Sequence, residues 1–208
     1  MNKNTLLIAL AISAFGFTTY AADKKDSKAA AAATSQAGKY AIDPAHSKVG
    51  FEIPHLVISS VEGRFTKFEG EIEFAEKFTD SKVTAKIDTA SIDTSNGDRD
   101  KHLKSADFFD ATKYPNMTFK SKKITGSPEK FTVVGDLTIK DKTREVSLDG
   151  KFLGIAKDAY GNDKAAFTAT TKINRQDYGL KWSKAVEVGP VVGDEVTITL
   201  KVQGAKAK

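Results

Sequence analysis

The sequence predicts an all-β protein: antiparallel strands, about eight of them, closed into a barrel, with a short α-helical insertion at the barrel mouth. Three observations carry this. Runs of strict apolar/polar alternation recur from Lys39 almost to the C-terminus. Glycines at 70, 126, 135, 150, 154 and 161 punctuate those runs as turn residues would. The continuous apolar runs and crossover helices that a parallel sheet needs are missing, and closure into a barrel removes the exposed edges of an antiparallel meander.

Residues 1–21, MNKNTLLIALAISAFGFTTYA, have the form of a secretory signal. Lys3 supplies the positive start, and the apolar run Leu6 to Phe17 falls short of the ~18 residues that span a bilayer. Thr19 and Ala21 place small residues where a signal peptidase reads, so cleavage is expected after Ala21, with Ala22 as the alternative. Export of the mature chain to the periplasm is expected, with an uncleaved membrane anchor as the alternative. Residues 22–38, ADKKDSKAAAAATSQAG, carry no large apolar side chain. They bury too little surface to offset the entropy of ordering and are expected to be a disordered linker.

The folded domain is expected over 39–203, with a C-terminal tail at 204–208. KVGFEI puts Val49, Phe51 and Ile53 on one face; GEIEF pairs Ile72 with Phe74; KVTAKID aligns Val83, Ala85 and Ile87. EVSLDGKF aligns Val146, Leu148 and Phe152. AAFTATTKI aligns Ala165, Phe167, Ala169, Thr171 and Ile173, and EVTITLKVQ aligns Val196, Ile198, Leu200 and Val202. The inward faces mix Ala, Thr and Gly with Phe, Ile and Val. That leaves room for one small ligand, although small residues also relieve crowding in a filled barrel.

SNGDRDKHLKSADFFDATKYP, at 95–115, breaks the alternation. Ser95 and Asp98 fit a capping box over a helix at 95–106, and Asp98 and Asp100 suit its positive end. Asp98 with His102, and Asp100 with Lys104, stand four apart and can pair. Leu103 and Ala106 share another face, followed by Phe109. Such a helix can cross a barrel mouth, Phe108 and Phe109 plugging or lining the opening and Pro115 launching the next strand; packing on the barrel exterior is the alternative. Arg99 and His102, three apart, can together receive an anionic head, or Arg99 can pair with a nearby carboxylate.

Composition narrows the chemistry. No cysteine is present, so disulfides, thiolate catalysis and cysteine-held metal are excluded. There is no G-x-S-x-G elbow and no H-E-x-x-H helix. Asp93 to Asp100 begins like a calcium loop, but its sixth position is Asp98 and its twelfth Lys104. His46 and His55 offer at most a loose metal pair, so no metal or other cofactor is expected. The sequon at 116–118, NMT, carries no expectation. Net charge is a modest +5 with dispersed lysines and only Arg64, Arg99, Arg144 and Arg175 as arginines, which argues against nucleic acid.

The residues resemble the YceI-like family. The runs that carry the resemblance are GKYAIDPAHSKVGFEIPHLVISSVEGRFTKFEGEIEF, SIDTSNGDRDKHLKSADFFDATKYPNMTFKS, DLTIKDKTREVSLDGKF, FTATTKINRQDYGLKW and VGDEVTITLKVQ, with RDKHLKSADFFD and NRQDYGL the most specific. They span roughly 39 to 203. The resemblance implies a lipocalin-like periplasmic barrel whose interior binds a long-chain lipid, such as a polyisoprenoid, an isoprenoid quinone or a fatty-acid-like chain. It implies a cavity lined by Phe51, Ile53, Phe65, Phe119, Phe167 and Trp182, with Phe108 and Phe109 near the opening and His55, Arg99 and His102 at the mouth. Twenty buried methylenes at about 0.8 kcal/mol each sum to ~16 kcal/mol, near the ceiling of noncovalent affinity before ordering costs. Polar mouth contacts therefore select more than they hold. An enzyme acting on a lipid head group through His102, or a ligand-free adaptor, are the alternatives. Transient contact with a membrane surface or membrane protein, as monomer or dimer, completes the expected partners.

Overall fold

Residues 37–186 and 189–207, the parts of the chain that the computed structural model describes, form thirteen strands, one α-helix and four 3-10 turns with their connections. The expected export signal and most of the expected linker lie outside them; Gly38, assigned to the linker, is the first residue of a strand. Eight strands close a ring in the order β1 (Gly38–Ile42), β4 (Phe68–Phe74), β5 (Lys82–Asp88), β7 (Asn116–Ser127), β8 (Lys130–Ile139), β9 (Lys142–Lys157), β10 (Asp163–Asn174) and β13 (Glu195–Lys206), and β13 returns to β1. Every pairing is antiparallel.

The expected tail from 204 is corrected by that closure. Gly204, Ala205 and Lys206 are strand, opposite Ile42, Ala41 and Tyr40. Gly204 lets β1 approach closely, since a Cβ there would press on Tyr40.

The ring splits toward one end. Pro44 cannot donate to a ladder, and Asp43 caps the 3-10 turn Pro44–His46 by accepting from Ala45 N at 3.0 Å. The chain leaves β1 there and resumes as β2 (Lys48–His55), still on β13 but further along it. Ser47 and Gln203 bridge the break at 2.9 Å. β3 (Ser59–Phe65) pairs with β2, and the two-residue β6 (Ile92–Asp93) pairs with β3. At this end β3 does not reach β5; β6 and the helix α1 (Gly97–Lys104) follow in the gap. The far end is closed by aromatics, with Tyr40, Phe74 and Phe152 in edge-on contact at 5.3 and 5.7 Å.

Two readings of local structure change. Gly70, Gly135 and Gly150 lie inside strands and not at turns. The ring of Phe131 covers Gly150 across the β8–β9 ladder, as the ring of Phe51 covers Gly63 across β2–β3, so a side chain at either glycine would collide with an aromatic. The helix cap is Asn96 and not Ser95. Asn96 Oδ1 accepts from Arg99 N at 3.0 Å, while Ser95 turns the chain at φ 60°. His102 pairs with Asp107 and Asp100 with Thr94, in place of the expected i,i+4 pairs.

Candidate functional site: an apolar cavity under a helical cap

The inward side chains leave a cavity of about 560 Å³ between the packed far end and the helix. Its wall is built by alternation. β13 contributes Val196, Ile198, Leu200 and Val202; β10 contributes Phe167, Ala169, Thr171 and Ile173; β5 contributes Val83, Ala85 and Ile87. Short side chains such as Ala85 and Ala169 make the space. The sequence marks these as strand faces, and of their residues only the aromatic Phe167 was expected in the wall; the period of two was the available signal for the rest.

All eleven residues singled out from the sequence border this cavity, in three groups. Phe119 and Phe167 lie deep, Phe167 against Phe74 and Phe152 at 5.9 and 6.0 Å. Phe51 and Ile53 face in from β2, where Phe51 meets Phe65 at 5.8 Å and Phe65 meets Phe109 edge-on at 5.7 Å. His55, Arg99, His102, Phe108 and Trp182 stand at the split end. Phe65 and Phe108 are buried as deeply as the core, so they support the wall as well as form it. His46 precedes β2 and His55 ends it, so the two form no pair; His46 bonds Asp43 at 2.9 Å instead. Among the described residues no cluster of three or more His, Asp or Glu is placed to hold a metal.

The mouth is held by three polar arrangements. His102 stands edge-on to both Phe108 and Trp182, at 5.1 and 5.0 Å, and its Nε2 meets Asp107 Oδ2 at 2.9 Å. Arg99 donates from Nε to Thr94 Oγ1 and from a terminal nitrogen to Thr94 O, both at 2.7 Å. Thr94 in turn donates to Asp100 from its backbone N–H at 2.9 Å and from its hydroxyl at 2.6 Å. Beside them the Asp93 carboxyl is held below the usual range by the Ser95 N–H first and the Arg64 guanidinium second.

Arg175 is the residue sequence reasoning left without a role. It is 4% exposed and donates to the carbonyls of Gly193, Leu180 and Trp182 and to Asp194 Oδ1. A single guanidinium thus gathers the loop that carries Trp182 over the cavity, a task suited to its planar fork of donors. Tyr178, 1% exposed in the same loop, is pushed up to about 12 by burial.

A β-barrel that is packed at one end and hollow, apolar and helix-capped at the other is a ligand-enclosing barrel by construction. The chain belongs to the YceI-like domain family, whose profile matches residues 40–204. It is 37% identical over 178 residues to a UPF0312 protein of Vibrio parahaemolyticus, covering 83% of this chain and 89% of that one. The YCEI protein of Campylobacter jejuni superposes with a TM-score of 0.65 at 34% identity, covering 80% of this chain and 96% of that one. A polyisoprenoid binding domain from Saccharophagus degradans, at 14% identity, shares the fold with a TM-score of 0.62 over 83% of this chain and all of that one.

Proposed function

We propose that the protein is a periplasmic binding protein that encloses the chain of one long apolar lipid, of the isoprenoid or fatty type, inside its barrel. The observation that carries this is the hollow interior itself: about 560 Å³ walled mainly by aliphatic and aromatic side chains, with its charged side chains and histidines, Asp98, Arg99, Arg175, His55 and His102, at the split end. A gap of that size is costly in a core with no ligand, since cavities destabilise in proportion to their volume. The apolar wall suits a hydrocarbon chain and the polar rim suits a head. A domain of the same fold is described as polyisoprenoid binding, which agrees with the chemistry of this wall. The form of residues 1–21 supports export.

Native mass spectrometry of protein released by osmotic shock tests both parts. The expected species begins at Ala22 or Asp23 and carries one apolar lipid. An intact Met1 retained in the membrane fraction would contradict export. Conversion of an added lipid to a new mass would favour an enzyme working through the His102–Asp107 pair, and a bare protein that takes up no lipid would favour an adaptor.

A further inference from the structure

We propose that the turn Leu56–Ile58, at the tip of the β2–β3 hairpin, is the element through which the protein enters a lipid bilayer surface to load or unload its cavity, an inference that rests on the cavity being a lipid site. The tip is apolar and in water. Val57 is 64% exposed and Ile58 85%. Residues 54–60, PHLVISS, contain no Lys, Arg, Asp or Glu, in a chain that is 28% charged.

The tip is also held in an unfavourable backbone. His55 pairs with Ser59, so three residues make the turn, and Leu56 and Val57 have φ of 53° and 67°. A β-branched residue is strained there, where Asn or Gly would fit. Neither folding nor solubility gains from Val57 and Ile58 at these positions. A role for the exposed side chains accounts for both oddities.

The position of the tip indicates the partner. Pro54 and His55, just behind it, line the cavity. Leu56 N donates to Val191 O at 3.0 Å, and Val191 N donates to Lys184 O at 2.8 Å. Tip, the 189–193 segment and Lys184 therefore lie side by side at the rim. At the usual strand spacing, the Lys184 backbone is about 10 Å from Leu56. Lys181 and Lys184 are exposed, and neither has a carboxylate partner among the described residues. Aliphatic side chains set to reach the acyl boundary, flanked by lysines at phosphate level, match a bilayer interface. A cargo that fits this wall resides in such a bilayer.

The test compares the purified protein with the double variant Val57→Asn/Ile58→Ser. Asn tolerates the left-handed conformation, so the variant should melt no lower than the parent. Partitioning onto vesicles of phosphatidylcholine and phosphatidylglycerol should fall by more than about tenfold, the scale of withdrawing two aliphatic side chains from an apolar phase. Extraction of a fluorescent polyisoprenoid from those vesicles should slow in parallel, while loading from detergent micelles should be unchanged. Equal partitioning and extraction by parent and variant would overturn the proposal. A parent that loads from micelles but never binds vesicles would also overturn it, assign the tip to a protein partner and leave the cavity reading intact. Failure to load from micelles would overturn the cavity reading itself.

Discussion

Arg99 commits two of its donors to Thr94, inside its own turn. It lines the mouth, but the edge of its fork formed by Nε and one terminal nitrogen is already taken up by Thr94. Arg99→Ala should therefore lower stability by roughly 1.5–3 kcal/mol, the range for hydrogen bonds to a charged group, and weaken a phosphorylated isoprenoid and the matching alcohol by the same factor. Parallel titrations check this, and a loss confined to the phosphorylated ligand would restore a head-group role. Arg99 was legible as a mouth residue from its place beside Phe108 and Phe109. Its partner was not, because Thr94 meets it through a turn whose left-handed Ser95 carries no sequence mark. Tyr178 makes a second residue-scale prediction. Its hydroxyl is buried with no hydrogen-bond partner among the described residues, so Tyr178→Phe should be neutral or stabilising at pH 7. The folded-state pKa is raised from 10.0 to about 12, so stability is full below 10, falls as the unfolded chain ionises, and levels off above 12. Across that window the parent should lose roughly 2–3 kcal/mol relative to Tyr178→Phe, measured by denaturant melts at each pH.

The helix α1 is the weakest-held element at the site. None of its residues is fully buried; Leu103 is only half-buried, and the aromatics that seal the cavity follow after its end. Its stability depends on the Asn96 cap. Asn96→Ala should cost about 1 kcal/mol and speed ligand release without altering the wall, checked by dissociation rates and by hydrogen exchange over 97–104. That a polar helix interrupts the strands was readable from broken alternation, and so was each of its ends to within two residues. The cap was misread because Ser95 and Asn96 are both good caps by type, and only backbone geometry chooses between them. Strand interiors show the same divide. Alternation marked the inward faces of β2, β5, β10 and β13, whereas Gly70, Gly135 and Gly150 looked like turns because the atoms that exclude a side chain there belong to neighbouring strands.

At the scale of the whole molecule, the antiparallel strands were legible from the period of the runs, and the closed lipocalin-like barrel from the family resemblance. The split that opens one end was not. It depends on Pro44 and Asp43 breaking one strand into β1 and β2 while β13 runs on past both, a matter of register between segments far apart in sequence. Hollow or filled was equally undecidable from composition, since Ala85 and Ala169 suit either. The claim that this space is a lipid site is tested most directly at Ala169. The only tryptophan, Trp182, borders the cavity and reports on it. Its fluorescence should saturate at one equivalent when the parent is titrated with a polyisoprenoid alcohol dispersed in detergent. Ala169→Phe, which fills the space, should stay folded and show no saturation. Equal saturation in both proteins, or unfolding of the variant for want of room, would contradict the account.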